Sequence, residues 1–83
     1  MRSIDELVLD TIMHPANVRF SDAERVCEHY FGPPTSRGGS HRVYRMPWPG
    51  DPRVNIQNDH GMAKPYQVRQ VLKAIAKLKE QYL

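Results

Sequence analysis

The sequence predicts a small α+β domain in which helices pack against one face of an antiparallel sheet of two to three strands. Apolar residues recur at helical spacing near both ends of the chain, whereas a central stretch alternates with the two-residue period of a strand. The 83 residues are also too few to form two separate hydrophobic cores. The expected order is helix, helix, strand, strand, a loosely defined third strand, helix.

The composition is that of an ordinary soluble domain, with 40% hydrophobic and 25% charged residues. Its apolar stretches are far shorter than the roughly 20 residues that cross a bilayer, and acidic residues stand where a signal peptide is basic and then apolar. We therefore expect a cytoplasmic protein without a membrane partner. A single cysteine, Cys27, excludes an internal disulfide and a thiolate metal site, so neither a metal nor another cofactor is expected.

The charge of the chain is unevenly distributed. Residues 1–30 carry six acidic and three basic residues, whereas residues 31–83 carry nine basic and three acidic ones. A basic half on a small domain indicates a surface that meets a polyanion such as RNA. General solubility explains the same charge equally well.

The first helix is predicted over residues 4–13. Ser3 and Glu6 form a capping box, in which both side chains satisfy free backbone N–H groups of the first turn. The His14-Pro15 step ends the segment, because proline disfavours the helical conformation in the residue before it. The predicted apolar stripe consists of Ile4, Leu7, Val8 and Ile12.

A second helix is predicted over about residues 22–30. Ser21 and Glu24 repeat the capping signal, and Gly32-Pro33-Pro34 ends the helix because proline has no backbone N–H to donate. Its inner face holds Ala23, Val26, Cys27 and Tyr30, so we expect Cys27 to belong to the core.

A β-hairpin is predicted in the middle of the chain. Residues 40–46 alternate, with His41, Val43 and Arg45 on one face and Arg42, Tyr44 and Met46 on the other. A proline-rich turn over residues 47–52 leads to a second strand over 53–57, with Val54 and Ile56 directed inward. A weaker third strand is placed over 33–38 at the edge, where prolines are tolerated.

The last helix begins near Pro65, since proline suits the first turn of a helix. One apolar stripe runs through Val68, Val71, Leu72, Ile75, Leu78 and Tyr82. The opposite side presents Arg69, Lys73 and Lys77 at four-residue intervals, so their cations line one exposed ridge.

The residues with the best candidates for a catalytic site are 37–42, with the sequence RGGSHR. The two glycines allow the backbone to approach a ligand closely, and His41 follows them at the start of a strand. An imidazole both accepts and donates protons at cellular pH, and RNA supplies its own nucleophile in the 2′-hydroxyl. One base and a few cations therefore suffice for cleavage, although an ordinary surface histidine fits the same spacing.

The run Gly39-Ser40-His41-Arg42-Val43-Tyr44, the proline-bearing turn, His60 and the helix YQVRQVLKAI together resemble the HicA family of bacterial toxins. The resemblance covers roughly residues 20–80. It implies a double-stranded-RNA-binding-domain-like fold, an mRNA interferase activity and neutralisation by a HicB-like antitoxin. It also implies that His41 is the catalytic residue. Residues 1–19 are then an N-terminal helical extension of a HicA-like domain that spans 20–83.

The predicted function is thus a metal-independent endoribonuclease that cleaves mRNA with His41 as general base. Charge and position add the predicted RNA-binding residues Arg37, Gly39, Ser40, Arg42, Arg45 and Lys73. Two alternatives stay open: a non-catalytic RNA-binding module of the same fold, and a protein-binding domain that uses the acidic N-terminal helix. His60 fits a second acid or a turn residue, and Trp48 fits a base-stacking ring or a partly buried cover of the sheet end.

Overall fold

A computed structural model describes residues 2–50 and 52–82 of the chain. The elements, in order, are α1 (Ile4–Met13), α2 (Phe20–Phe31), β1 (His41–Arg45), β2 (Arg53–Asp59), β3 (Met62–Ala63) and α3 (Pro65–Tyr82). The strands form one antiparallel sheet in the order β1-β2-β3. The α+β class predicted from the sequence is confirmed.

The hairpin of β1 and β2 has the predicted face assignment. Tyr44 pairs with Val54 and Arg42 with Ile56 on one face, whereas His41 pairs with Gln57 on the other. Tyr44, Val54 and Ile56 are buried, because α2 and α3 pack on their face of the sheet. The opposite face carries no helix in the described part of the chain, and His41, Arg45 and Asn55 are exposed there.

The third strand lies elsewhere than predicted. Residues 33–38 make only an isolated bridge, Ser36 with Val43, at the outer edge of β1. The third strand is instead β3, which joins β2 through a two-residue turn at His60 and Gly61. Both turn residues have positive φ, 53° and 88°, as the right-handed twist of a tight hairpin requires. Prolines kept segment 33–38 from forming a ladder, since Pro33 and Pro34 lack N–H groups.

The core joins both halves of the chain. Residues from α2, β1, β2 and α3 supply its most deeply buried side chains, and α1 contributes Leu7. Those with almost no exposure are Tyr44, Leu7, Ile56, Val26, Val68 and Cys27. The prediction that Cys27 belongs to the core is confirmed, and its burial raises the pKa of the thiol to about 12.

Helix α1 packs against α2 through Leu7 and Val8, so the N-terminal segment lies on the domain. The Ser3 cap is confirmed, because its hydroxyl accepts the Glu6 N–H at 3.2 Å. The predicted inward position of Ile12 is wrong, since 55% of that residue is exposed. Thr11 is buried instead and donates its hydroxyl proton to the Leu7 carbonyl at 2.6 Å. The face of α1 that contacts the rest of the domain is therefore narrower than its apolar residues predict.

Helix α2 begins two residues earlier than predicted. Arg19 occupies the N-cap position without a side-chain cap, and Ser21 lies inside the helix, so the predicted Ser21 capping box is wrong. The start is fixed by tertiary contacts instead: Phe20 is buried, and its backbone N–H donates to the Gly61 carbonyl at 3.0 Å. Pairing with the β3 segment thus overrides the local capping signal.

Helix α3 confirms the predicted element, with Pro65 as its first residue. Val68, Val71, Ile75 and Leu78 face the core, whereas the predicted core role of the Tyr82 side chain lies outside the described residues. Lys73 and its basic neighbours at four-residue spacing, Arg69 and Lys77, are exposed as expected. No helix within residues 2–50 and 52–82 has the length and apolarity to span a membrane.

The Tyr44 hydroxyl is an unpaired polar group within the core. It is buried and has no hydrogen-bond partner among the described residues. Burial is the main cause that raises the pKa of this phenol, with the neighbouring Cys27 adding to it. A hydroxyl removed from water without a replacement bond opposes folding.

We therefore expect Tyr44→Phe to stabilise the protein by about 1 kcal/mol, because the ring packing is kept and the unpaired hydroxyl is lost. Urea unfolding followed by circular dichroism measures the free energy of unfolding. Tyr30→Phe is the matched control, since Tyr30 is only partly buried and phenylalanine keeps the ring contacts with His29 and Lys79. A Tyr44→Phe protein less stable than wild type would show that the hydroxyl does not oppose folding.

Candidate functional site

The candidate site lies at one end of the exposed sheet face, where β1 begins. His41 is the first residue of β1 and is exposed. Its pairing with Gln57 places both residues on the face that no helix covers. The imidazole is consequently open to a large, extended ligand such as a nucleic-acid strand.

A tight turn precedes His41. Gly39 has a φ of 56°, in the left-handed region that side chains rarely adopt, and the His41 N–H donates to the Gly38 carbonyl at 3.1 Å. The Asn58 N–H in β2 donates to the Ser40 carbonyl at 2.8 Å. The turn is therefore joined to the sheet immediately before His41, which limits the positions the ring reaches.

Arg42 holds the same turn from the helical side. Its Nε donates to Glu24 Oε2 in α2 at 3.0 Å, and its terminal NH1 group donates to the carbonyls of Gly39 at 3.2 Å and His41 at 2.9 Å. The guanidinium carbon also lies 5.5 Å from the centre of the Phe20 ring. The Arg42 side chain thus connects the turn to α2 on the face opposite the imidazole.

The other predicted RNA-binding residues do not form one cluster. Arg37, Gly39 and Ser40 lie in the exposed loop before His41. Arg45 shares the face of His41 but lies four residues further along β1, about 13 Å away at the rise of a strand. Lys73 lies on α3, in the helical layer on the opposite side of the sheet.

His60 lies at the same end of the sheet as His41. Asn58 bonds to Ser40, so the turn that follows Asn58 projects beside the start of β1. The His60 ring is 98% exposed, and its Nδ1 is 2.8 Å from Asp59 Oδ1. The Asn58 side chain also accepts the Gly61 N–H at 2.6 Å, which closes the turn. The sequence signal for this hairpin is the Asn-Asp-His-Gly run, with its glycine at the last turn position.

Trp48 lies at the other end of the sheet, over α3. Its half-buried ring packs against the core, and the Lys77 ammonium is 4.6 Å from the ring centre. Together with Lys73, Ala74 and Glu80 they line an open groove of about 530 Å³. This geometry gives Trp48 the role of a cover for the sheet end, remote from His41.

Sequence reasoning missed an apolar surface on α1. Leu9, Ile12 and Met13 are 62%, 55% and 64% exposed, and they recur at i, i+3 and i+4, so they share one side of the helix. The i, i+3, i+4 spacing of these three residues was the sequence signal for this surface. It indicates two apolar sides on α1, of which only the one with Leu7 and Val8 is covered.

Comparison with protein-family models, curated proteins and solved structures finds no match to this chain. Within residues 2–50 and 52–82, no group of three or more histidine, cysteine or acidic side chains has the arrangement of a metal site.

We expect Gly39→Ala to destabilise the protein by about 1 kcal/mol, because alanine is strained at a φ in the left-handed region. A Cβ at Gly39 meets no atom within 4 Å, so backbone strain is the whole expected effect. Gly38→Ala is the matched control: its φ is ordinary, and the added Cβ would lie 3.8 Å from Ser36 Oγ, a normal contact. Equal stability of the two variants in urea unfolding would contradict this role of Gly39.

Proposed function

We propose that this protein is a metal-independent endoribonuclease of the HicA type, an mRNA interferase whose general base is His41. In the proposed reaction His41 takes the proton of a ribose 2′-hydroxyl, and the resulting oxygen attacks the adjacent phosphorus. The products are a 2′,3′-cyclic phosphate and a 5′-hydroxyl end. Since the nucleophile belongs to the substrate, the protein needs only to place a base and hold the backbone.

The observation that carries this proposal is the placement of His41. Its side chain is exposed on the uncovered sheet face, while its backbone is fixed by the Gly38 carbonyl and its carbonyl by Arg42. A general base has to reach its proton in a reproducible geometry, and a strand end supported on two sides meets that requirement.

The order of elements also supports the proposal. From α2 to α3 the chain runs helix, three antiparallel strands, helix, with both helices on one face of the sheet. This order agrees with the double-stranded-RNA-binding-domain-like fold implied by the resemblance. Helix α1 precedes it, as an N-terminal extension over residues 1–19 would.

The RNA contact that we propose follows the exposed loop and sheet face. Arg37, Gly39 and Ser40 lie in the exposed loop that leads into His41, and Arg45 shares the exposed sheet face with His41. Guanidinium groups bind phosphate oxygens bidentately, which favours the two arginines as backbone contacts. Arg42 has the different role of positioning the turn, and Lys73 contributes only to the positive potential of the helical layer.

The proposed partners are mRNA and a HicB-like antitoxin in the cytoplasm. An open site with no covering segment among the described residues is active whenever RNA is present, so its control has to come from another molecule. We expect the antitoxin to cover His41 or to block the path of the RNA along Arg37 and Arg45. The acidic surface that such a partner requires complements the basic half of this chain.

We expect His41→Ala to lower the rate of RNA cleavage at least about 100-fold, because the 2′-hydroxyl loses its base. The assay uses end-labelled RNA with EDTA, and it identifies cyclic-phosphate and 5′-hydroxyl ends on the products. His14→Ala is the matched control, since His14 is exposed at the end of α1, away from the sheet. Urea unfolding verifies that both variants are folded.

The same assay distinguishes a ribonuclease from a non-catalytic RNA-binding module. Salt-dependent binding of RNA by wild type without discrete products favours the non-catalytic module. Cleavage that persists in His41→Ala refutes the proposed mechanism. A substrate with a 2′-deoxyribose at the cleaved position should resist wild type, because the nucleophile is absent.

A further inference from the structure

Asp59 lies on the exposed sheet face together with His41, and His60 lies in the turn directly after Asp59. His41 pairs with Gln57, and Asp59 follows Gln57 by two residues, so His41 and Asp59 are diagonal neighbours on one face. Diagonal neighbours in an antiparallel pair lie about 7–8 Å apart, within reach of long side chains. The His60 ring is anchored to that same Asp59 carboxylate at 2.8 Å. Two imidazoles and a carboxylate thus lie at the same end of the sheet.

From this arrangement we propose that His60 is the general acid of the cleavage reaction and that Asp59 positions it. The proposal rests on the ribonuclease function above and adds a second catalytic residue to it. Cleavage of a phosphodiester requires a proton for the leaving 5′-oxygen as well as a base for the 2′-hydroxyl. A histidine is the side chain that most readily supplies that proton near neutral pH.

The Asp59 contact determines which ring nitrogen faces the substrate. Nδ1 of His60 donates to Asp59 Oδ1, so Nε2 is the nitrogen left to face a ligand. The His60 ring is 98% exposed and therefore accessible to an RNA strand that crosses His41. A carboxylate that orients an imidazole in this way recurs in hydrolytic sites.

The backbone at His60 supplies an independent observation. Among the described residues, His60 is the only non-glycine residue with a positive φ, at 53°. The first position of such a two-residue turn is most favourably occupied by asparagine or glycine. Local backbone strain accumulates where function selects the residue. The positive φ of His60 is therefore in keeping with a functional role of its imidazole.

The step is balanced without a further reactant. His41 accepts the 2′-hydroxyl proton, and the 2′-oxygen forms a bond to phosphorus. The bond from phosphorus to the 5′-oxygen breaks, its electron pair stays on that oxygen, and His60 Nε2 donates a proton to it. Afterwards His41 is protonated and His60 is neutral, and exchange of protons with water restores both.

The test compares two substrates with His60→Asn. Both are RNA oligonucleotides that contain the junction cleaved by wild type; one has the natural 5′-oxygen and the other a 5′-sulfur as leaving atom. A thiolate leaves without protonation, so the sulfur substrate needs no general acid. The Asn variant keeps a favourable turn residue, which separates loss of the imidazole from loss of the fold.

We expect His60→Asn to slow cleavage of the oxygen substrate about 100-fold and to cleave the sulfur substrate at close to the wild-type rate. Asp59→Ala should lose about tenfold on the oxygen substrate and be restored by sulfur in the same way, since a positioning residue acts through the acid. His41→Ala should be slow on both substrates, because each still needs the base.

Each other outcome overturns the proposal. An unchanged rate for His60→Asn on the oxygen substrate excludes His60 from the chemistry, and an equal loss on both substrates assigns it to binding or structure. In both of these outcomes wild type still cleaves the two substrates, so the ribonuclease function stands and only the assignment of His60 as general acid fails. If wild type cleaves neither substrate, the ribonuclease function fails, and the acid assignment with it.

Discussion

The two-residue alternation along β1 and β2 determines which face of the sheet His41 and Asp59 occupy. Tyr44 and Ile56 are fully buried under α2 and α3, so a shift of one residue in the register would expose them and bury His41. The hydrophobic free energy of these side chains therefore also fixes which face the imidazole occupies. The core on one side of the strands thus determines where His41 lies on the other side.

Arg42 links that alternation to the turn. As an inward residue of β1 it is half-buried beside Phe20, where an unpaired guanidinium would be unfavourable, and Glu24 supplies the opposing charge. Its NH1 group donates hydrogen bonds to the carbonyls of Gly39 and His41. One side chain thus has partners for its half-buried charge and also holds the turn in place. Removing the charge would therefore loosen the turn without touching the imidazole.

Local signals in the sequence were sufficient where local forces decide the structure. The Ser3 cap, the Pro65 start of α3 and the alternation around Tyr44 depend on neighbouring residues, and all three were predicted correctly. The start of α2 and the place of the third strand depend on pairing between segments 18–20 and 61–63, which are distant in sequence. For the same reason, the sequence indicated His41 but gave no means to place His60 beside it.

A site of this kind suits a chain of 83 residues. In the proposed cleavage of RNA the nucleophile is the 2′-hydroxyl of the substrate, so the proposed site needs only two imidazoles at a sheet end for the proton transfers. The exposed face at His41 has no covering segment among the described residues, so control of the proposed activity has to come from another molecule. The small size of the domain and its proposed control by a separate antitoxin thus follow from the same geometry.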